Sequence, residues 1–192
     1  MTIPLKPLFI IHFTLFIILF GCASGNSGKE KSEPAETAQT QEVKMLLTIQ
    51  SVNFDNGQRI PEKYTCEGPD ISPELRWENP PEKTESFAIL CDDPDAPIGN
   101  WNHWVVFDIP SDVRSIPEGA TDVPGIQGKN DFGDHSYGGP CPPPGKPHRY
   151  FYRIYALDKK LGLDSGAKRK DVLNAMENHI LAKGETMGTY GR

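Results

Sequence analysis

The chain has 192 residues, of which 37% are hydrophobic, and 26 acidic against 20 basic residues give it a net charge of −6. No basic stripe runs along the sequence, which argues against a nucleic acid as partner. The length that remains behind an N-terminal export segment suits one domain with a core of its own.

The N-terminus predicts export. Lys6 precedes an apolar run over residues 8–20, and two small residues follow. A short basic region, an apolar core and a small-residue cleavage site are the pattern of a secretory signal peptide, and the run is shorter than the ~20 residues that span a membrane. The letters LFGC at residues 19–22 resemble a bacterial lipobox, which implies cleavage before Cys22 and lipidation of its thiol. An uncleaved anchor and an apolar N-terminus packed in the core are the alternatives.

These patterns divide the chain into three parts. Residues 1–21 are a predicted signal peptide, residues 22–44 a lipidated cysteine with a flexible tether, and residues 45–192 a folded domain. The tether has no aromatic residue, so it cannot bury enough apolar area to offset its chain entropy. We therefore expect an exported lipoprotein that is anchored in a membrane and faces the periplasm or the cell surface.

Apolar and β-branched runs predict a mainly β domain. The strands are expected at residues 45–52, 59–64, 74–77, 87–91, 104–109 and 150–157. The run 87–91 is apolar without alternation, which predicts burial on both faces. Apolar residues at helical spacing predict one helix over 168–182, ended by Gly184. Strands without intervening helices favour a sandwich of antiparallel sheets with few helices.

Residues 119–147 form an unusual segment, with seven glycines and six prolines in 29 residues. A long irregular segment inside a compact domain is either functional or disordered. Its aromatic residues, Phe132 and Tyr137, and the strong strand behind it predict an ordered, functional loop.

The cysteines of the domain fall into two kinds. Cys66 and Cys141 lie in turn-rich segments of an exported chain, where they can form a disulfide, and the sequence leaves this open. Cys91 lies in an apolar run, which favours a buried free thiol. No CxxC-type pair is present, so the spacing does not indicate a zinc site.

Two histidines are expected to share a pocket. His103 and His148 each stand at the entrance of a strand, and imidazoles and backbone N–H groups bind anions, phosphate included. Because prolines have no N–H group, the donors must come from side chains or from the backbone of Gly138, Gly139, Cys141 or Gly145.

An acidic cluster precedes His103. Asp92, Asp93 and Asp95 would repel an anion unless they orient the imidazoles or accept protons from the ligand. The alternative is a turn in which these carboxylates cap neighbouring N–H groups.

Catalysis has weaker support. Ser136 lacks the GxSxG context of a nucleophile, and no base is evident for Cys141. A metal held by His103, His148 and Asp93 is chemically possible, yet pocket histidines are common without metals. We therefore expect a protein that is not an enzyme and has no cofactor.

Six segments resemble the phosphatidylethanolamine-binding protein family, also called Raf kinase inhibitor-like proteins, in its bacterial branch. They are YTCEGPDISPELRW at 64–77, DDPDAP at 92–97, WNHWVVFDIP at 101–110, GKNDFG at 128–133, YGGPCPPPGKPHRYFYRIYALD at 137–158 and GTYGR at 188–192. The resemblance covers essentially the whole domain, and several unusual motifs in order make it specific. The run of three prolines at 142–144 is a small departure from the pattern.

The resemblance implies a sandwich of two antiparallel sheets with a small anion pocket for phosphate groups of lipid headgroups or phosphorylated molecules. It also implies a cis bond between Ala96 and Pro97. Carried over by motif, the ligand contacts are Asp93, Pro97, Trp101, His103, Cys141, Pro142, Pro143, His148 and Tyr150, with Asp95 behind them.

The expected function is therefore that of a membrane-tethered binding protein. An inhibitor or regulator of a protease or kinase, acting by protein contact, is the alternative, and a hydrolase or metalloenzyme is a third hypothesis. A homodimer and an unknown protein partner stay open.

Overall fold

The computed structural model describes residues 47–192. The predicted signal peptide, the predicted lipidation site at Cys22 and the predicted tether lie outside the described residues. Within them, no helix has the length and apolar character needed to cross a membrane.

Two antiparallel sheets make up the domain. One sheet has the order β1-β2-β5 and the other the order β6-β4-β3-β7-β8, and every pairing between named strands is antiparallel. In chain order the elements are β1 (Thr48–Ser51), a 3-10 helix (Glu62–Tyr64), β2 (Leu75–Glu78), β3 (Ser86–Asp93), β4 (Trp101–Pro110), β5 (Ser115–Ile116), β6 (Ile126–Gln127), β7 (His148–Leu157), α1 (Arg169–Met176) and β8 (Ile180–Tyr190). The mainly β sandwich expected from the sequence is confirmed.

Strand β3 lies at the centre of the larger sheet and is buried along its whole length. Phe87, Ile89 and Cys91 pack into the core that includes residues of the smaller sheet. Ala88 and Leu90 point the other way, into a second core that contains residues of α1. Because both faces are covered, the strand has no polar alternation, as the sequence predicted.

The predicted helix over 168–182 is wrong in its second half. Helix α1 ends at Met176, Asn178 adopts a positive φ of 66°, and β8 begins at Ile180. Gly184 is not a helix stop but a position inside β8, where a Cβ would lie 2.6 Å from the carbonyl oxygen of Leu47. Pairing with β7 along nearly its whole length outweighs the helical spacing of the local sequence.

The predicted strand over 59–64 is also wrong. Arg59 makes a single bridge to Thr189, and the chain then enters the 3-10 helix. Pro61 stands before that helix and has no N–H group to continue a ladder. The other predicted strands are confirmed with small shifts at their ends.

Candidate functional site

Three neighbouring strands bring the predicted site residues together. Asp93 ends β3, Trp101 and His103 lie at the start of β4, and His148 and Tyr150 at the start of β7. Since β3 is paired antiparallel with both β4 and β7, its end meets both starts at one edge of the sheet. The register places Asp93 opposite Trp101.

A cavity of about 270 Å³ opens at this edge. All nine predicted ligand contacts line it, and so do three residues that the sequence analysis did not assign to it, Ala96, Ile98 and Phe132. The aromatic content of the long loop had pointed to Phe132, whereas no feature of the sequence marked Ile98. The role of these residues as ligand contacts stays a prediction.

The walls of the cavity are apolar and aromatic, and its polar groups are few. Trp101 and His103 both pack edge-on against the Phe132 ring, at centroid distances of 5.4 and 5.3 Å. Ile98 is 78% exposed at the mouth. Preformed, mainly apolar cavities with a few convergent polar groups are typical of small-molecule sites.

Asp93 orients one of the two histidines. Its Oδ2 accepts a hydrogen bond from Nδ1 of His148 at 2.8 Å, and both side chains are largely buried. Its Oδ1 accepts the backbone N–H of Asp95 at 2.8 Å. Nδ1 of His148 therefore carries a hydrogen, which fixes the orientation of the ring and leaves Nε2 for other contacts.

Asp95 does not line this cavity but holds the neighbouring backbone. Its carboxylate accepts one hydrogen bond from the backbone N–H of Arg149 at 3.0 Å. It accepts two more from the guanidinium of the same residue, each at 2.8 Å. The guanidinium hydrogen bonds lower the pKa of Asp95 to about 2, against a smaller opposing effect of burial. Its role behind the ligand contacts stays a prediction.

The carbonyl group of Gly138 fixes the tautomer of His103. His103 is 3% exposed, and its Nδ1 donates to the carbonyl oxygen of Gly138 at 2.7 Å. Burial lowers the pKa of His103 below its usual range, against the opposite effect of that carbonyl. Near pH 7 the ring is therefore neutral, with its hydrogen on Nδ1 and a lone pair on Nε2.

Tyr150 has a buried hydroxyl group without a hydrogen-bond partner in the described domain. Its ring packs edge-on against His103 at 5.1 Å. Burial, helped by the charge of Asp93, raises the pKa of Tyr150 well above its usual value. The phenol stays protonated, so its oxygen keeps an O–H donor, and Tyr150 is one of the residues that line the cavity.

The Pro/Gly loop, residues 119–147, forms one wall of the cavity and is fixed to the rest of the domain by several contacts. Cys141 forms a disulfide with Cys66, which settles the pairing that the sequence left open. The backbone N–H of Gly139 donates to Oδ1 of Asp70 at 2.7 Å. The free thiol of Cys91 is buried, as expected.

Backbone donors from this loop do not supply the cavity. The N–H groups of Gly138, Gly139 and Gly145 donate to His103, Asp70 and Arg192 respectively. The expectation that they bind an anion is therefore wrong for these three, because protein acceptors already occupy them. Within the described domain the N–H of Cys141 has no such acceptor, so the polar groups left for a ligand are this N–H and the side chains.

Asp92 belongs to a different environment from Asp93. It is fully buried and forms ion pairs with Arg153 at 3.0 Å and with Arg169 at 2.8 Å. Adjacent residues of a strand point to opposite faces, so Asp92 points away from the cavity. Its inclusion in one acidic cluster at the site is wrong.

The bond between Ala96 and Pro97 is trans, like every peptide bond of residues 47–192. The expected cis bond is therefore wrong. The trans form of an X-Pro bond is favoured by ~0.5–1 kcal/mol unless its surroundings demand the other.

A family model described as "Phosphatidylethanolamine-binding protein" matches residues 50–191. The chain belongs to the phosphatidylethanolamine-binding protein family. The match covers the domain that the motifs of the sequence indicated.

Two curated relatives of this chain are both named as UPF0098 proteins. That of Aquifex aeolicus is 50% identical over 153 residues, which cover 77% of this chain and 90% of the relative. That of Pyrococcus horikoshii is 44% identical over 191 residues, which cover 95% of this chain and 88% of the relative.

Solved structures support the same family. A homolog of the phosphatidylethanolamine-binding protein from Chlamydia trachomatis superimposes with a TM-score of 0.73 at 38% identity, over 77% of this chain and 98% of that one. Escherichia coli YbcL is described as a new member of the mammalian family. It superimposes with a TM-score of 0.72 at 34% identity, over 76% of this chain and 98% of that one.

Proposed function

We propose that this chain is a binding protein whose cavity takes phosphate-type anions, presented by a lipid headgroup or by a phosphorylated small molecule. The observation that carries the proposal is the unpartnered hydroxyl of Tyr150, a residue that lines the cavity. A buried donor without a partner costs ~1–3 kcal/mol, and an oxygen of a bound anion would satisfy it.

The neighbouring imidazoles support the same ligand. His148 is oriented by Asp93 and has Nε2 free of protein contacts in the described domain. A protonated His148 would donate to the anion while Asp93 balances its charge. The cationic imidazole and the Asp93 carboxylate together carry no net charge, so a bound monoanion adds a single negative charge to a largely apolar cavity.

We propose binding without turnover. Cys141, the one cysteine among the described residues that line the cavity, is held in a disulfide and therefore is not a thiolate nucleophile. Asp93 and His148 are engaged with each other, and residues 47–192 contain no group of three His, Cys, Asp or Glu side chains arranged to hold a metal.

We also propose that lipidation of Cys22 places the cavity near a membrane. The LFGC run and the apolar segment before it support this part of the proposal. The exposed apolar side chains at the mouth, Ile98 at 78% and Phe132 at 47%, would face the acyl region of a lipid ligand.

Calorimetric titration with phosphorylethanolamine and inorganic phosphate tests the binding proposal. We expect saturable one-site binding, weakened at least tenfold by His103→Ala and by His148→Ala. His179→Ala is the matched control, because His179 pairs with Asp158 and does not line the cavity. Equal affinity in all four proteins would rule the proposal out.

Regulation of a protease or kinase by protein contact is the second proposal, since an exposed apolar rim can also dock a protein. Ile98→Ser separates the two without adding a charge beside the anion, because it should weaken inhibition of such an enzyme more than it weakens the affinity for inorganic phosphate.

A further inference from the structure

A second cavity, of about 330 Å³, shares no lining residue with the cavity of the proposed function. Residues 70–72, which precede β2, form one side of it. Three parts of the Pro/Gly loop form the rest, namely residues 119–121, Gln127 and residues 135–137. The second cavity is therefore a separate place at which a small molecule can bind.

The charges of the second cavity favour a cation. Asp70 is the one carboxylate among its described lining residues, which include no lysine or arginine, and its other ionisable side chains are His135 and Tyr137. Within residues 47–192, Asp70 forms no ion pair. Asp122 and Asp134 are sequence neighbours of lining residues and add charge of the same sign. An anion would therefore be repelled here.

Charge alone does not make a site, because an exposed carboxylate such as that of Asp70 holds a cation weakly in water. Ser72 supplies a second observation. It lines the second cavity, it is 3% exposed, and its hydroxyl has no hydrogen-bond partner in the described domain. A buried polar group without a partner is unfavourable, so a ligand that hydrogen bonds to this oxygen would be favoured.

Gln127 supplies a donor of known orientation. Its Oε1 accepts the indole N–H of Trp104 at 2.8 Å, so the NH₂ group of the amide is left for other contacts. The hydroxyl of Tyr137, by contrast, is already engaged with the Tyr64 carbonyl and the Tyr152 hydroxyl. The second cavity thus combines a carboxylate, a buried hydroxyl and an amide donor.

We infer that the second cavity binds a small organic molecule that carries a primary ammonium group and a hydroxyl group. The ammonium group donates to Oδ2 of Asp70 and to Oγ of Ser72, while the ligand hydroxyl accepts from Nε2 of Gln127. Binding forms no covalent bond. The inference goes beyond the proposed function and does not depend on it, because the two cavities have no lining residue in common.

Two probes of nearly equal size test the inference in the full chain in a non-ionic detergent. In 3-aminopropanol one end is an ammonium group, whereas 1,3-propanediol has a hydroxyl there. NMR titration follows the backbone amide of Gly139, whose N–H donates to Oδ1 of Asp70. We expect the amino alcohol to bind saturably and at least tenfold more tightly than the diol, as for a hydrogen bond to a charged group. Equal affinities, or no shift of the Gly139 amide with either probe, would overturn the inference.

Asp70→Asn removes the charge and keeps an oxygen that can accept the Gly139 N–H. Asparagine also tolerates the positive φ of 58° at this position. We therefore expect an unchanged urea midpoint and an affinity for 3-aminopropanol that is at least tenfold weaker. Asp158→Asn is the matched control, since Asp158 pairs with His179 and does not line the second cavity. Equal affinities in the two variants would contradict the role of Asp70.

Ser72→Ala gives an independent test, because it deletes a hydroxyl that has no partner in the described domain. The urea midpoint should stay the same or rise, and the affinity for 3-aminopropanol should fall about fivefold. A lower midpoint with unchanged affinity would mean that Ser72 has a structural role only and would overturn the inference.

Other cations separate an ammonium site from a general cation site. The N-trimethylated form of 3-aminopropanol keeps the charge but has no N–H donor, so it should bind at least tenfold more weakly. Residues 47–192 contain no group of three His, Cys, Asp or Glu side chains arranged to hold a metal, so Mg²⁺ should not displace the amino alcohol. Equal binding of the trimethylated probe, or displacement by Mg²⁺ at a lower concentration, would overturn the inference. A failed phosphate titration would refute the proposed function alone.

Discussion

Tyr150 has a hydroxyl that is buried without a partner, whereas the hydroxyl of its neighbour on the same face, Tyr152, contacts the Tyr137 hydroxyl at 3.1 Å. We expect Tyr150→Phe to leave stability unchanged or to raise it by up to ~1 kcal/mol, and to weaken phosphate binding tenfold or more. Tyr152→Phe should do the reverse, with a loss of ~1 kcal/mol and little change in binding. Urea unfolding and calorimetry check both. A Tyr150→Phe variant destabilised as much as Tyr152→Phe would contradict the description of that hydroxyl.

The lowered pKa of His103 predicts how the stability of the domain changes with pH. Because the folded protein disfavours the charged ring, the unfolded chain binds more protons below its own pKa of about 6.5. The contribution of His103 to stability is therefore complete above pH 6.5 and is lost as the pH falls through the lower, folded value. NMR titration of the ring should give a midpoint below 6.5. A midpoint above 6.5 would contradict the neutral, buried ring described here.

Particular site residues could be predicted because they belong to unusual motifs. His103 lies in WNHW, and His148 follows a proline-rich loop, so each stands out from its surroundings. The pairing of Asp95 with Arg149 was not foreseen, because it joins side chains 54 positions apart. Ile98 is a single exposed aliphatic residue, a type that sequence alone does not distinguish from ordinary surface.

Among the longer elements, the Pro/Gly loop depends on a glycine that leaves no room for a side chain. A Cβ on Gly139 would lie 2.3 Å from Oδ1 of Asp70 and 2.3 Å from the carbonyl oxygen of Tyr64. We expect Gly139→Ala to lower the free energy of unfolding by ~2–4 kcal/mol and to weaken phosphate binding, because the cavity wall must shift. Denaturant unfolding with a parallel phosphate titration checks both effects.

Gly166 provides the matched control, since a Cβ there meets nothing within 4 Å. Gly166→Ala should change stability by less than ~1 kcal/mol and leave binding intact. Equal effects of the two substitutions would show that the loop is not fixed where the structure places it.

The disulfide fixes the same loop covalently. Cys66 and Cys141 are 75 positions apart, and closing a loop of that length contributes ~4 kcal/mol in the chain-entropy model. We expect a dithiol reductant to lower the urea midpoint of the wild type and not that of the Cys66→Ser/Cys141→Ser double variant. Cys91→Ala should keep the sensitivity to reductant, because its thiol is free. A wild-type midpoint that ignores the reductant would contradict this role.

Strand β8 shows where sequence patterns fail at this scale. Its residues include Gly184 and Gly188, which weaken a strand by themselves. Both are needed, because the Leu47 backbone approaches Gly184 and the Ile60 side chain approaches Gly188. The strand is specified by its long pairing with β7 and by these close contacts, neither of which a local pattern reveals. Strand β3, by contrast, was predictable because burial on both faces leaves a continuous apolar run.

For the molecule as a whole, the proposed anchor makes a prediction about location. We expect Cys22→Ser to abolish incorporation of labelled fatty acid and to move the protein out of the membrane fraction. The affinity of the cavity for inorganic phosphate should not change, because Cys22 lies outside the domain. Unchanged labelling in Cys22→Ser would contradict the proposed lipidation site.

The fold of the whole domain was predictable because strand patterns and ordered motifs pointed to the same sandwich. The site was predictable as a set of residues, since neighbouring strand ends bring separate motifs to one edge. Its chemistry was not, because the tautomer of His103 and the free hydroxyl of Tyr150 depend on partners that only the tertiary structure supplies.

A crystal structure of the protein with phosphorylethanolamine at about pH 6 tests the central claim most directly. The account predicts the phosphorus atom inside the cavity, with one oxygen within hydrogen-bond reach of the Tyr150 hydroxyl and another near Nε2 of His148. A phosphate bound elsewhere, with the cavity free of it at saturating ligand, would contradict the account.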